Sequence, residues 1–264
     1  MVRRARLDAE LVRRGLARSR EQAATLIADG RVTVGGQAAT KAATAVDAAT
    51  AVLVTPQTGP SYVSRGGHKL AGALDAFGYD PAGKRALDAG ASTGGFTDVL
   101  LARGAAHVAA VDVGYGQLAW SLQSDDRVTV VDRTNVRSLT PDAIGGLVDL
   151  VVADLSFIPL RLVLPALVGC GAPHVDLLPM VKPQFEVGKD RLPSGGVVRD
   201  PALRAAAVRA VAHDAEELGL GVRGVTASPL PGPSGNVEYF LWLSAGAPPL
   251  DDAALERAVQ EGPQ

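Results

Sequence analysis

A glycine-rich turn between an apolar run and a helical pattern constrains the fold of this chain more than any other feature. The apolar run ends at Asp88, and a helical periodicity begins at Phe96. The turn between them contains Gly90, Gly94 and Gly95. Glycine allows a backbone to turn sharply and to approach a ligand where a Cβ atom would block it. The pattern therefore predicts a strand, a ligand-binding loop and a helix in succession.

Four further apolar runs each end on an ionisable residue, at Asp112, Asp132, Asp154 and Lys182. Segments with helical or loop-like composition separate these runs, and this alternation is typical of a parallel, doubly wound sheet. Ligands of such sheets bind beyond the carboxyl ends of the strands. We therefore expect the four charged ends to surround a ligand site beside the glycine loop.

Length and composition fit a globular protein with one large and one small domain. The chain has 264 residues, of which 47% are apolar and 20% are charged. Cys170 is the only cysteine of the sequence, which excludes a disulfide framework and predicts a reducing compartment. The sequence shows no secretory signal, no membrane span and no metal-ligand spacing among its histidines. We therefore expect a cytoplasmic protein without a metal or a membrane partner.

Positive charge is concentrated at the beginning of the chain. The first 60 residues carry nine Lys and Arg side chains and five acids, a net charge of +4. The formal net charge of the whole chain is −2, so the remaining residues carry −6. Such asymmetry predicts that the basic segment binds a polyanion.

This basic segment has the pattern of two short helices followed by a hairpin. Gly15 ends the first helix, and Ser19 with Gln22 forms a capping box for the second. The segment resembles the small RNA-binding module named for the S-four protein of the small ribosomal subunit. The matching residues are Arg6, Leu7, Asp8, Leu11, Gly15, Leu16, Ser19, Arg20, Ala23, Leu26, Ile27, Gly30, Val32 and Val34. Because the first 60 residues contain no aromatic side chain, we expect contacts to RNA phosphates and shape rather than base stacking.

Pro56, Gly59 and Pro60 mark a change of composition after this module. We therefore predict an RNA-binding domain over residues 1–59, a linker over 60–64 and a second domain over 65–264. The predicted RNA-binding residues are Arg3, Arg4, Arg6, Arg18, Arg20 and, in the second domain, Arg65.

Cations gather at the start of a predicted helix in the second domain, where the helix dipole disfavours them. Arg65 and Lys69 are among them. Side chains that are unfavourable for the local structure in which they lie often mark a functional site. Together with Asp154, Lys182 and Glu238, Lys69 forms a series that resembles the Lys-Asp-Lys-Glu tetrad of FtsJ-type 2′-O-methyltransferases. The basic module joined to such a domain resembles the TlyA family of ribosomal RNA 2′-O-methyltransferases, formerly labelled haemolysins.

The resemblance implies a Rossmann-like class I S-adenosylmethionine-dependent methyltransferase with a small α+β RNA-binding domain at its N-terminus. It also implies S-adenosylmethionine as cofactor, ribosomal RNA or ribosomal subunits as partners, and the ribose of a cytidine in small- and large-subunit RNA as substrate. The predicted cofactor-binding residues are Asp88, Gly90, Ala91, Ser92, Gly94, Gly95, Phe96, Asp112, Gly114, Leu118 and Asp132.

The chemistry of the four predicted catalytic residues fits this reaction. A ribose 2′-hydroxyl must lose its proton as it attacks a methyl group. Lys182, partly desolvated and repelled by Lys69, would release its own proton more readily and could then accept the proton of the hydroxyl. Asp154 would orient Lys182, and Glu238 would hold Lys69 or the ribose. Methylation of another structured RNA remains open, and a membrane-active haemolysin would need spanning or barrel-forming segments that the sequence does not show.

Overall fold

The computed structural model describes residues 4–28, 30–55, 60–232 and 235–263. Arg3, one of the predicted RNA-binding residues, lies outside this part of the chain. The chain divides into two units, Met1–Ser61 and Tyr62–Gln264. The division falls inside the stretch 60–64 that composition marks as a linker.

The first unit is an α+β module with its own core. Its helices are α1 (Leu7–Arg13) and α2 (Arg20–Ala28). Its strands are β1 (Ala5–Arg6), β2 (Val32–Val34), β3 (Gln37–Ala38), β4 (Ala45–Val46) and β5 (Val52–Val54). Strand β2 lies between β3 and β5 in an antiparallel sheet, and β1 pairs with β4. Apolar side chains of both helices pack against these strands.

The local signals in the sequence place the ends of these elements. Gly15 has a positive φ of 70° just after α1. Ser19 Oγ accepts a hydrogen bond of 3.1 Å from the Gln22 N–H, and the Gln22 side-chain oxygen accepts one of 2.6 Å from the Arg18 N–H. Gly35 and Gly36 both have positive φ in the turn between β2 and β3, as a tight hairpin requires. The two helices and the hairpin are confirmed.

Two acids are buried among the described residues of this basic unit, and arginines hold both of them. Asp8 is 4% exposed, and its Oδ2 accepts hydrogen bonds from Arg6 at 3.0 Å and Arg20 at 2.9 Å. The hydrogen bond from Arg6, with further help from Arg20, holds the pKa of Asp8 far below its usual value. Arg6 and Arg20, both predicted as RNA-binding residues, therefore also stabilise the module.

Glu10 is the second of the two buried acids, and it also forms a cluster with two arginines. Its carboxylate accepts hydrogen bonds from Arg13 at 2.6 Å and from Arg14 at 2.7 Å, and these bonds lower its pKa to about 2. Arg14 also donates to the backbone oxygens of Asp47 and Thr50, so it ties α1 to the segment before β5. Arg14 is thus a structural residue, which the sequence pattern alone does not distinguish from its neighbours.

Replacement of Asp8 by alanine should loosen the first unit. Two guanidinium groups lose their buried acceptor, and such charge-assisted bonds contribute more than neutral ones. We expect amide hydrogen exchange in α1 and α2 of the full-length protein to accelerate about tenfold or more. Arg18→Ala is the control, because the Arg18 side chain is exposed and forms no hydrogen bond or ion pair with the described residues. Equal exchange rates in the two variants would refute a structural role for Asp8.

The second unit is built on a seven-stranded sheet with the order β11-β12-β10-β9-β6-β7-β8. Its strands are β6 (Arg85–Ala89), β7 (His107–Val111), β8 (Val128–Val131), β9 (Val148–Ala153), β10 (Gly171–Val181), β11 (Leu220–Ala227) and β12 (Tyr239–Ala245). Strands β6 to β10 are mutually parallel wherever they pair. This is the Rossmann-like core that the alternating pattern predicts.

One strand departs from the parallel arrangement that the alternating pattern predicts for this sheet. Strand β12 runs antiparallel to both β10 and β11. The connection between β11 and β12 covers only residues 228–238, which is shorter than the dozen or so residues that a crossover to a parallel strand needs, so the chain returns beside β11 in the opposite direction. The register pairs Val181, the last residue of β10, with Tyr239, the first residue of β12.

Helices cover both faces of this sheet. They are α3 (Arg65–Phe77), α4 (Gly95–Ala102), α5 (Trp120–Gln123), α6 (Leu164–Gly169), α7 (Pro183–Glu186), α8 (Pro201–Glu217) and α9 (Asp252–Glu261). One apolar core contains side chains of α3, α4 and α5, and another contains side chains of α6, α8 and α9. Strand β6 sends Ala86 to the first core and Leu87 to the second, as a doubly covered strand must. No helix among the described residues is long and apolar enough to cross a membrane.

Candidate active site

The carboxyl ends of the parallel strands meet at one edge of the sheet. Asp112, Asp132, Asp154 and Lys182 directly follow β7, β8, β9 and β10, as the sequence predicts. Because β12 is antiparallel, its first residue lies at this same edge, and Glu238 directly precedes it. The strand that departs from the predicted direction therefore brings a carboxylate to the side of Lys182.

A cavity of about 390 Å³ opens beside the glycine loop. It is lined by Gly90, Ser92, Asp112, Val113, Gln117, Asn135, Val136, Asp154, Leu155, Ser156, Phe157, Ile158 and Val163. We call it the loop cavity. Asp112 Oδ2 accepts a hydrogen bond of 2.8 Å from the Ser92 N–H, and its Oδ1 accepts one of 2.7 Å from the Gly114 N–H. Each oxygen of this carboxylate has a further lone pair with which to accept a ligand hydroxyl.

Gly90 cannot be replaced without moving the backbone. Its φ is +86°, and a Cβ atom there would lie 2.5 Å from the backbone oxygen of Asp154. The glycine thus lets the loop after β6 pass against the end of β9, where it forms part of the cavity wall. The sequence pattern predicts a close approach to a ligand, and the close contact that the structure shows is with the backbone of Asp154.

Other predicted cofactor-binding residues shape the loop but do not line its cavity. They are Asp88, Ala91, Gly94, Gly95, Phe96, Gly114, Leu118 and Asp132. A Cβ atom on Gly94 would overlap Leu118 and Leu122, and one on Gly95 would overlap Ser64 Oγ. These two glycines therefore serve tight packing against neighbouring side chains. Asp132 accepts a hydrogen bond of 2.9 Å from the Gly116 N–H.

Asp88 lies beneath the loop and is fully buried. Its Oδ2 accepts hydrogen bonds from the Thr97 N–H at 2.9 Å and the Thr97 hydroxyl at 2.7 Å, so it ties β6 to the first turn of α4. Its Oδ1 has no hydrogen-bond partner among the described residues. Burial raises the pKa of Asp88 to about 7 against the opposing effect of the two Thr97 bonds.

Lys182 is held by two groups from the end of β9. Its Nζ lies 2.6 Å from Asp154 Oδ1 and donates a hydrogen bond of 3.0 Å to Ser156 Oγ. The lysine is 7% exposed. The predicted orientation of Lys182 by Asp154 is thus present in the geometry, and Ser156 is an additional partner that the sequence pattern does not reveal.

Lys69 and Glu238 form a second, deeper pair. Lys69 Nζ lies 2.6 Å from Glu238 Oε2, and their side chains are 9% and 0% exposed. Removal of one partner would leave a buried charge alone, which is costly, so the two residues depend on each other. Gly232 packs against the Glu238 carboxylate so closely that a Cβ atom would overlap it.

A larger cavity of about 820 Å³ adjoins these lysines. It is lined by Ser156, Phe157, Pro159, Arg161, Lys182, Gln184, Phe185, Gly188, Leu192, Gly195, Gly196, Asn236 and Glu238. We call it the lysine cavity. Ser156 and Phe157 line both cavities, so the residues after Asp154 form a common wall. Lys182 and Glu238 line the lysine cavity, Asp154 lines the loop cavity, and Lys69 reaches the site through Glu238.

Phe157 is the most unusual residue of this wall. It is 90% exposed and has a φ of +64°, a conformation that bulky side chains rarely adopt. Its ring lies 5.2 Å from that of Phe185, centroid to centroid. Positive φ in a phenylalanine has no signature in the sequence, so the pattern could not reveal this exposed aromatic pair.

Arg65 lies at the start of α3 and is half-buried. Its Nη2 donates to the backbone oxygen of Pro231 at 3.5 Å, in the turn that also contains Gly232. No group of three or more His, Cys, Asp or Glu side chains within the described ranges is arranged to hold a metal ion.

Two parts of the chain match families of known proteins. The FtsJ-like methyltransferases match residues 62–245, which include all the strands of the large sheet. The chain belongs to the FtsJ-like methyltransferase family. Residues 5–52 match the S4 domain, so this methyltransferase carries the RNA-binding module that its N-terminal pattern indicates.

Several known proteins are similar to this chain over most of its length. The "16S/23S rRNA (cytidine-2'-O)-methyltransferase TlyA" of Mycobacterium tuberculosis (strain ATCC 25618 / H37Rv) is 64% identical over 100% of both chains. "Hemolysin A" of Brachyspira hyodysenteriae is 34% identical and covers 89% of this chain and 98% of its own. A solved structure described as a hemolysin from Streptococcus thermophilus has a TM-score of 0.78 at 35% identity, over 99% of this chain and 96% of its own. The expected membership of the TlyA family is confirmed.

Replacement of Asp88 by asparagine should change how stability depends on pH. Because the folded-state pKa of Asp88 is raised from 3.8 to about 7, folding costs more free energy as pH rises through this range. Asp88→Asn keeps an acceptor for Thr97 but cannot ionise. We expect the loss of unfolding free energy between about pH 5 and about pH 8 to shrink by at least about 1.4 kcal/mol, the equivalent of one pKa unit. Denaturant unfolding at both pH values measures this, and an unchanged difference contradicts it.

Proposed function

We propose that this protein transfers a methyl group from S-adenosylmethionine to the ribose 2′-hydroxyl of a cytidine in ribosomal RNA. The observation that carries the proposal is Lys182, held by Asp154 and Ser156 where the loop cavity and the lysine cavity share a wall. A methyl donor in the first cavity and a nucleotide in the second would meet at this wall. Ribosomal RNA as substrate places the reaction in the cytoplasm.

The residues of the loop cavity fit S-adenosylmethionine. Asp112 offers carboxylate oxygens for the hydroxyls of a ribose, and Gly90 lets the loop lie against the end of β9, where it forms part of the cavity wall. Ser92 lines the cavity beside them. When bound, S-adenosylmethionine supplies a methyl group already activated by a positively charged sulfur. The protein then has to bind, orient and exclude water, and orientation alone can lower such a barrier by several kcal/mol.

Lys182 is the proposed catalytic residue for the substrate hydroxyl. After Lys182 has released a proton to solvent, its neutral Nζ would accept the proton of the 2′-hydroxyl as this oxygen attacks the methyl group. The Asp154 carboxylate at 2.6 Å and the Ser156 hydroxyl at 3.0 Å fix the position of Nζ. A fixed donor–acceptor geometry matters here because displacement of the oxygen by about 1 Å can reduce the rate about a hundredfold.

Lys69 and Glu238 form the proposed second half of the tetrad. Glu238 lines the lysine cavity and pairs with Lys69. It therefore supplies a carboxylate edge to the cavity, and the positive charge of Lys69 balances the charge of this carboxylate. This edge can accept a hydrogen bond from a ribose hydroxyl of the substrate. Lys69 then acts mainly by holding Glu238 in place.

The lysine cavity has the chemistry of a nucleotide site. Phe157 and Phe185 offer aromatic faces for a base, and Arg161 offers a cation for a phosphate group. Single nucleotides that leave a stack are recognised in this way by many RNA-binding proteins. The names of the relatives indicate which RNA this is, because the Mycobacterium tuberculosis protein is called a 16S/23S rRNA (cytidine-2'-O)-methyltransferase.

The first unit is the proposed RNA anchor. Arg4 and Arg18 are exposed, and Arg6 and Arg20 keep more than half of their side-chain surface exposed while they hold Asp8. Guanidinium groups bind phosphate oxygens in a bidentate manner. Binding through phosphates releases counterions and therefore weakens steeply with salt.

Lys182→Ala tests the catalytic proposal. We expect single-turnover methyl transfer to ribosomal RNA to fall at least about a hundredfold, because a proton acceptor contributes that much or more. Affinity for S-adenosylmethionine should change less than about threefold, since Lys182 does not line the loop cavity. Lys84→Ala is the matched control, because it breaks another lysine–carboxylate pair, the one with Asp176 at 3.2 Å. Mapping of 2′-O-methyl groups on the RNA locates the product, and near-normal turnover in Lys182→Ala refutes the assignment.

The double variant Arg4→Glu/Arg18→Glu tests the RNA anchor without disturbing the clusters at Asp8 and Glu10. We expect the slope of log affinity against log salt to become shallower by about two, one for each lost phosphate contact. Arg257→Glu, a charge reversal at an exposed residue of α9, is the control. Filter binding to ribosomal subunits across a salt series measures both. A slope equal to that of the control would remove Arg4 and Arg18 from the RNA contact.

A further inference from the structure

Glu186 is a half-buried carboxylate that neither cavity uses. It lies at the end of α7, four residues after Lys182, and does not line the loop cavity or the lysine cavity. Its Oε1 accepts a hydrogen bond of 2.9 Å from the backbone N–H of Leu160. This bond joins the helix that follows Lys182 to the far end of the segment that follows Asp154.

That segment, residues 154–160, is the common wall of the two cavities and is fixed at several points. At its start, the Asp154 N–H donates to the Ala89 oxygen at 3.0 Å. In its middle, Ser156 bonds Lys182 and the Phe157 ring packs beside Phe185. At its end, the Leu160 N–H donates to Glu186. Helix α7 and Lys182, which directly precedes it, therefore hold the wall in its middle and at its end.

Phe157 makes such fixation necessary. A bulky side chain at a φ of +64° is in an unfavourable conformation that persists only where the surroundings impose it. With Phe157 90% exposed, its own side chain packs too little to impose it. The constraint must come from the bonded ends of the segment, and Glu186 supplies one of them.

The surroundings of Glu186 bring its pKa close to neutral pH, so its charge changes in this range. Burial and the nearby Asp214 of α8 raise its pKa to about 7, while the Leu160 N–H and Arg161 act in the opposite direction. Asp214 is itself repelled by Glu217 and attracted by Arg161 and His213. An ionised carboxylate accepts a hydrogen bond more strongly than a neutral carboxyl group. The bond to Leu160 therefore strengthens as Glu186 loses its proton.

We propose that Glu186 is a positioning residue, which holds the wall formed by residues 154–160 in its active geometry and makes methyl transfer respond to its own protonation. The proposal rests on the function proposed above. Loss of the Glu186 bond leaves Asp154 and Lys182 in place but frees the end of the wall, so Ser156 and Phe157 lose their fixed positions. The consequence falls on the methyl-transfer step, while RNA binding by the first unit is unchanged.

Two variants of the full-length protein separate the parts of this proposal. Glu186→Ala removes the acceptor, and Glu186→Gln keeps a neutral acceptor that does not titrate. The single-turnover rate at saturating RNA and S-adenosylmethionine is measured from about pH 6 to about pH 9. We expect Glu186→Ala to lower this rate about tenfold or more at every pH. Glu186→Gln should keep most of the rate below about pH 7. In the natural protein, the rate should rise through about pH 7 as Glu186 loses its proton, in addition to any other pH dependence of the reaction. The Glu186→Gln variant should lack this rise.

Asp149→Ala is the matched control, because Asp149 also accepts a backbone N–H, that of Arg85, at 3.0 Å and lies outside both cavity walls. Thermal unfolding of each variant shows whether the fold is intact, and Glu186→Gln keeps the test decisive if Glu186→Ala does not fold. Equal rates in Glu186→Ala and the control, or a natural pH profile in Glu186→Gln, would overturn the proposal. Absence of 2′-O-methylation by the natural protein would instead overturn the function on which it rests.

Discussion

The ion pair between Asp154 and Lys182 determines how the two cavities of the second unit are arranged. The two residues end neighbouring parallel strands, and their side chains meet at 2.6 Å. Such a pair can form only where the sheet brings β9 and β10 together in register. The glycine loop must at the same time pass close to the Asp154 backbone, which explains why Gly90 has no room for a side chain. The loop cavity and the lysine cavity thus both adjoin one contact between two strand ends.

The fold and much of the site could be predicted because the relevant signals are local. Apolar runs that end on Asp112, Asp154 and Lys182 report strands of a covered sheet, and the ends of parallel strands must share an edge. The direction of β12 was not predictable from periodicity, since a strand buried on both faces has the same composition in either direction. It follows instead from the short connection after β11. The place of Glu238 beside the lysines depends on that direction.

Other parts of the site depend on tertiary contacts that leave no mark in the sequence. Gly94 and Gly95 have the spacing of ligand-binding glycines, yet neighbouring side chains occupy the space where their Cβ atoms would lie. Phe157 reads as an ordinary apolar residue after a strand, whereas its backbone conformation exposes the ring. Its position is decided by bonds to residues distant in the sequence, which no local pattern contains.

The two arginine clusters of the first unit have a consequence for the entropy of binding. Free arginine side chains on a surface sample many rotamers, and immobilising each one on a ligand costs about 0.5–1.5 kcal/mol. Arg6 and Arg20 are already held against Asp8, and Arg13 and Arg14 against Glu10. Each cluster of two guanidinium groups and one carboxylate retains a single net positive charge with its planar donors in fixed positions. Folding thus immobilises these side chains in advance, and in the proposed complex a phosphate backbone would meet cations that are already held in place.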